Sequence, residues 1–164
     1  SFVGYIFKYL VKKFWNDFFI EKVKDRMDFI GLNYYFHRSF LFKDKSPKNY
    51  SDMGWELYPA GISIVLEDLK SYGKPIYITE NGLADCEDKY RGWYIKEVLK
   101  NVLNSIESGV DVRGYFHWSL MDNFEWDKGF WPKFGLIDVD RKTMKRNIRS
   151  SAFIYRDIIE RGFR

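Results

Sequence analysis

From Tyr5 to Lys24 the apolar residues Ile6, Tyr9, Leu10, Phe14, Phe18 and Val23 recur at roughly helical spacing, with no Pro or Gly after Gly4. The spacing predicts a helix. Met27–Tyr35 (Met-Asp-Phe-Ile-Gly-Leu-Asn-Tyr-Tyr) has the pattern of a buried strand. Lys43 to Tyr58 is polar and broken by Pro47 and Gly54, which predicts a long loop of the kind that often carries function. Ile62 to Ser71 reads as a short helix, with Ile62, Val65, Leu66 and Leu69 on its apolar face and Gly73 at its stop. Pro75–Thr79 is a second strand, with Pro at its start, where it costs no ladder bond. Trp93 to Ser108 is the clearest helix: Ile95, Val98, Leu99, Val102, Leu103 and Ile106 share a face, and Gly109 ends it. Val112–Leu120 is a third strand, and Asn147 to Arg161 a last helix, with Ile148, Ala152, Tyr155 and Ile159 on one face.

Strands separated by helices imply βαβ units and a parallel sheet, so the expected class is α/β. Each strand is apolar nearly throughout, which predicts cover on both faces. No repeat or low-complexity stretch divides the chain, and residues 1–164 are expected to form a single domain with a real core.

Composition narrows the function. Hydrophobic residues make up 46% of the chain, which argues against disorder. Aromatic residues reach 20%, more than packing alone requires, and flat rings also line sugar and nucleic-acid sites. The net charge of +4 is only mildly basic and is no nucleic-acid signature by itself. Arg141, Lys142, Lys145, Arg146 and Arg149 read as a solvated helix entry. Cys86 stands alone, so no internal disulfide or multi-cysteine zinc site is expected, and His37 and His117 have no metal-ligand spacing. No apolar run reaches membrane-spanning length. With no signal-like opening at Ser1–Tyr5, a soluble, cytoplasmic protein is expected.

In parallel α/β folds the chemistry gathers at the C-terminal ends of the strands. Asn33-Tyr34-Tyr35, Glu80-Asn81-Gly82, and Trp118 with Asp122-Asn123-Phe124-Glu125-Trp126 occupy those places. Glu80 sits at a strand mouth, and Gly82 permits a sharp turn beyond it. A carboxylate there can attack an anomeric carbon. The alternative is an N-cap or ion-pair partner at an ordinary strand end. Tyr35 is placed to hydrogen-bond Glu80 and keep it ionised, or else is a core Tyr with a satisfied hydroxyl. Glu125 beside Trp126 pairs an acceptor with a flat ring, which suits a sugar. For Trp118, Trp131 and Phe134 the alternative is core packing.

Ile78-Thr79-Glu80-Asn81-Gly82 resembles the nucleophile signature of glycoside hydrolase family 1. Trp118-Ser119-Leu120-Met121-Asp122-Asn123-Phe124-Glu125-Trp126 resembles the segment at that family's last barrel strand, and Phe29-Ile30-Gly31-Leu32-Asn33-Tyr34-Tyr35 its sixth-strand motif. Gly54-Trp55-Glu56-Leu57-Tyr58-Pro59, Lys133-Phe134-Gly135-Leu136 and Ser151-Ala152 fit in the right order. The resemblance implies an incomplete (β/α)8 TIM barrel, roughly strands six to eight with their helices. It implies a retaining β-glycosidase acting on β-glucosides, galactosides or related glycosides, without a cofactor. Glu80 would be the nucleophile and Tyr35 would position it. Glu125 would hydrogen-bond the outer hydroxyls of the terminal sugar. Trp126 would contact the same sugar, Trp118 would form its floor and Phe134 its side, and Asn33 would join the substrate-binding residues.

The chain departs from the family at one decisive point. The family's acid/base Glu lies in an Asn-Glu-Pro motif, and no such motif occurs here; the sugar-holding Gln, His and Asn of earlier strands have no counterparts either. A retaining mechanism needs two carboxyl groups about 5–5.5 Å apart, and a complete barrel takes about 250 residues. The expectation is therefore a glycosidase whose acid/base comes from a complementing N-terminal half-barrel or a homo-oligomer. The alternative is a non-catalytic barrel fragment that folds by self-association and at most binds sugars weakly. A nucleic-acid module is set aside because the family match accounts for its key residues.

Overall fold

The computed structural model describes residues 2–37 and 48–163. Residues 43–47 of the expected loop lie outside them; the rest of it, from Lys48, is irregular apart from a bridge between Tyr50 and Glu56.

The N-terminal helical element is α1 (Phe2–Val11), a π-helical stretch (Lys12–Asp17) and α2 (Phe18–Val23), closed by a 3-10 turn at Lys24–Arg26. It docks on α3 (Gly61–Lys70) through a 2.8 Å ion pair between Lys12 and Asp68. The apolar residues picked out by periodicity are not its buried face. Ile6, Tyr9, Leu10, Phe14 and Phe18 are all exposed, Phe14 at 74%, while Asp17 is buried. The period was read correctly, but nothing among the described elements covers the stripe.

Strands β1 (Ile30–Tyr34), β2 (Ile76–Asn81) and β3 (Val112–His117) form one parallel sheet in that order. The crossovers are α3 and α4 (Arg91–Glu107). Ile30, Leu32 and Tyr34 of β1 and Ile76 and Ile78 of β2 bury against Ile62, Leu66 and Leu69 of α3 and Tyr94, Val98 and Val102 of α4. At roughly 1.5–3 kcal/mol per fully buried large side chain, this layer is what holds the sheet. The opposite face is open: Gly31, Asn33 and Thr79 are exposed, with Phe29 at 52% and Phe116 at 58%. The expectation of cover on both faces is thus corrected. The described residues cover one face, and the other mixes polar Asn33 and Thr79 with exposed rings.

A second correction concerns the C-terminal region. Ile137–Val139 (β4) and Arg146–Ile148 (β5) form an antiparallel hairpin, and the last helix, α5, is Ser150–Arg161. Asn147 and Ile148 are strand residues, and Ile148 is 60% exposed. The Asp140 carboxylate accepts the Lys142 and Thr143 N–H groups in the hairpin turn, a local bond that competes with helix. Asp88 then starts α5, accepting the Ser151 N–H at 2.8 Å and its hydroxyl at 2.6 Å. Arg141, Lys142, Lys145 and Arg146 are exposed around this turn, but Arg149 is buried, contrary to the solvated reading. Strand β3 ends at His117, short of the expected Leu120.

No described helix is long and apolar enough to cross a membrane, and no cluster of metal-ligating side chains occurs among the described residues.

Candidate active site

Strict alternation would put Glu80 on the helix-facing side of β2 with Ile76 and Ile78. The register prevents it. Leu32 pairs with Ile78, but Asn33 pairs with Glu80, so Thr79 is an extra residue. The bulge returns Asn81, not Glu80, to the buried face, where it is fully buried. Glu80 is left toward the open face; bulges re-aim side chains in this way.

The Tyr35 hydroxyl donates to Glu80 Oε2 at 2.7 Å. Burial, the bond to Glu80 and the charges of Glu80 and Glu125 all push the Tyr35 phenol well above its usual range. It therefore keeps its proton and remains a donor to the carboxylate. Rings hold it in place: Tyr35 meets Trp55 edge-on at 5.8 Å and Phe134 at 6.1 Å, and Trp55 lies 6.2 Å from Phe134. Phe134 is buried at 1%, so it both packs and borders the site. Next to Glu80 in the chain, the Thr79 hydroxyl donates to the Asn33 side-chain amide oxygen at 2.7 Å.

Beyond β3 the Trp118–Ser119 peptide is cis. The Trp118 carbonyl oxygen would lie 1.8 Å from a Cβ on residue 82, so Gly82 is the residue that lets the two segments touch. Trp118 is half-buried at this contact. Ser119 donates to the Asn123 side-chain oxygen at 3.1 Å, and Asn123 donates to Glu125 Oε2 at 2.8 Å. That chain orients the second carboxylate. Trp126 is 85% exposed and Trp131 54%, so core packing does not describe Trp131.

Asp122 anchors this segment, a role the sequence reading did not single out. Its carboxylate takes Arg149 in a forked pair at 3.0 and 3.1 Å and accepts the Gly135 N–H at 2.9 Å. Burial alone would raise this carboxyl, but Arg149, the Gly135 N–H and Lys133 outweigh it and hold it below the usual range. Asp85 and Asp88 were likewise not picked out. Asp85 accepts the N–H groups of Lys89, Tyr90 and Arg91 at the start of α4. The fully buried Arg91 pairs with Asp88. Local offsets could have flagged Asp85 as a cap, whereas the Asp122–Arg149 pair spans 27 residues and carries no local signal.

Glu56, beside Trp55 in the chain, is another carboxylate among the described residues. Burial would raise it, but Lys48 at 2.8 Å and His37 at 3.2 Å outweigh burial and hold it below the usual range. It has no proton to donate near neutral pH. The site thus offers an oriented carboxylate with a fixed phenolic donor, bordered by rings on an open sheet face.

Residues 12–163 match the profile of glycosyl hydrolase family 1. The chain belongs to this family. It is 39% identical over 159 residues to a β-galactosidase of Sulfolobus acidocaldarius, a match covering 84% of this chain and 32% of the relative. It is 34% identical over 173 residues to β-glucosidase A of Thermotoga maritima, covering 93% of this chain and 38% of the relative. The crystal structure of the β-glucosidase from Pyrococcus furiosus superposes with a TM-score of 0.87 at 40% identity, over 94% of this chain and 37% of that one. The chain thus spans about a third of the length of the family 1 relatives it matches. Those relatives are (β/α)8 barrel enzymes, so the sheet described above is part of a barrel.

Proposed function

We propose that this chain carries the nucleophile side of a retaining β-glycosidase site, with Glu80 as nucleophile. The observation that carries the reading is the 2.7 Å Tyr35–Glu80 bond on the open face of β2, at the strand's C-terminal end. On this reading β1, β2 and β3 are the sixth, seventh and eighth strands of the barrel. Glu80 attacks the anomeric carbon of a β-glucoside or β-galactoside as the aglycone oxygen leaves. Tyr35 holds the attacking carboxylate. Trp118 forms the floor of the sugar site, Phe134 its side, and Glu125, Trp126 and Asn33 hold the sugar; no cofactor takes part. The leaving oxygen needs a proton that Glu56 does not have. The acid therefore comes from further strand–helix units, on the same polypeptide or another, that pair with the open sheet edges.

A second reading, a non-catalytic piece covered by another copy of itself, draws support from the exposure of Phe14, Phe18 and Phe19 at 74%, 57% and 71%. One experiment separates the two: hydrolysis of a chromogenic β-glucoside by the chain, alone and mixed with the N-terminal two-thirds of the Pyrococcus furiosus enzyme. Turnover that Glu80→Gln abolishes supports the first reading. Turnover unchanged in Glu80→Gln sinks the nucleophile assignment, and no turnover in either sample favours the second reading.

A further inference from the structure

Asn81 follows Glu80 on β2, with its side chain buried on the opposite face. Its amide nitrogen donates to the Tyr34 carbonyl at 2.5 Å and to the Tyr94 hydroxyl at 3.2 Å. Its amide oxygen accepts from the Tyr115 hydroxyl at 2.9 Å. The Tyr94 hydroxyl, in turn, donates to the Tyr35 carbonyl at 3.3 Å. One side chain thus joins β1, β3 and α4. It also holds both backbone carbonyls at the residue that bears the Tyr35 phenol: that of Tyr34 directly, and that of Tyr35 through Tyr94. Burial pushes Tyr94 up to about 12 and Tyr115 well above its usual range, so both remain hydroxyl donors.

We propose that Asn81 is a positioning residue for Glu80, acting through Tyr35. It clamps the Tyr34–Tyr35 backbone of β1 to β2 from the covered face and so sets the Tyr35–Glu80 hydrogen bond on the open face. Glu80 and Asn81 are adjacent, so the nucleophile and the peg that fixes its partner move as one backbone unit. The residue type is demanded by the bonds. Leu has the same number of side-chain heavy atoms and the same branching, but removes the bonds to the Tyr34 carbonyl and the Tyr115 hydroxyl. Asp sets a second acceptor against the Tyr34 carbonyl in place of a donor. The clamp is a geometric statement; its consequence for chemistry rests on the nucleophile reading above.

The test has two arms, run on the chain, Asn81→Leu, Tyr35→Phe and the double variant. In the first, the hydrogen-bonded Tyr35 hydroxyl proton is observed by NMR and assigned by its absence in Tyr35→Phe. In the second, Glu80 is labelled with 2,4-dinitrophenyl 2-deoxy-2-fluoro-β-D-glucoside and followed by mass spectrometry. A Glu80 oxygen bonds to the anomeric carbon as dinitrophenolate leaves with its electron pair; that leaving group needs no proton, so the missing acid is not required. The expected result is loss of the hydroxyl resonance in folded Asn81→Leu. Labelling should slow at least tenfold in Asn81→Leu, but less than twofold when the same change is made in Tyr35→Phe. A merely structural role would not produce that coupling. Persistence of the resonance in folded Asn81→Leu overturns the proposal, as does equal slowing in both backgrounds. If Asn81→Leu does not fold, Tyr94→Phe, which cuts the link to the Tyr35 carbonyl, is read in the same two ways. A wild-type chain that takes no label counts against the nucleophile reading, and the resonance then decides the clamp by itself.

Discussion

His117 makes folding depend on pH in a window that can be calculated. Its side chain sits behind β3, beside the Tyr155 ring of α5 at 6.0 Å, and neither ring nitrogen has a hydrogen-bond partner among the described residues. Burial, then the charge of Arg91, pushes it from 6.5 down to about 3, with Asp88 opposing. The unfolded chain takes up this proton near pH 6.5, whereas the folded chain refuses it until about pH 3. Stability from the neutral ring is therefore complete above pH 6.5 and drains away as the pH falls toward 3. At about 1.4 kcal/mol per pH unit, the loss between pH 6.5 and 5 is about 2 kcal/mol. That is about 4–8 °C in Tm for a chain of this size. The assay is thermal unfolding at half-unit pH steps for the wild type and His117→Leu, which packs a similar volume without a titrating group. Carboxylates such as Asp122, held low, titrate below this window, and His37 is common to both proteins. The difference between the curves isolates His117. Parallel curves from pH 6.5 to 5 would refute the reasoning.

Two further expectations test the supports of the site. Arg149→Met leaves the Asp122 carboxylate buried with its main partner gone, so urea unfolding should show a loss of about 3–5 kcal/mol; a loss under about 1 kcal/mol would mean that Asp122 is satisfied by backbone alone. Gly82→Ala places a methyl 1.8 Å from the Trp118 carbonyl oxygen, and the segments must part. It should cost about 3 kcal/mol or more, and a soluble variant with an unchanged Tm would show that the two segments do not press together.

The sheet was legible because its signal is local. Runs such as Ile76-Tyr77-Ile78, the face of Ile95, Val98 and Val102, and the punctuating Gly73 and Gly109 are all short-range, and they predicted a parallel sheet with helical crossovers correctly. The Tyr35–Glu80 contact was anticipated from two strand ends. What could not be read were partners far apart in the chain. Asp122 needs Arg149, Ser151 needs Asp88, and Asn81 needs Tyr34 and Tyr115. Asn147 and Ile148, at the end of the hairpin, read as a helix start because β4 and β5 are too short to show alternation. Periodicity marked the α1 and α2 stripe as apolar, yet it could not say whether anything in the chain would cover it.

The two faces of the sheet divide the labour. Ile76, Ile78, Asn81 and Tyr94 lie toward the helices, where a change alters whether β1, β2 and β3 stay in register. Tyr35, Glu80, Asn33 and Thr79 lie toward the open side, where a change alters the Tyr35–Glu80 and Thr79–Asn33 bonds rather than the core. The Thr79 bulge is the joint between the two, since it sends Glu80 one way and Asn81 the other within a single dipeptide. The covered face forms a core from these residues, and the Tyr35–Glu80 bond stands on the face that this core leaves open.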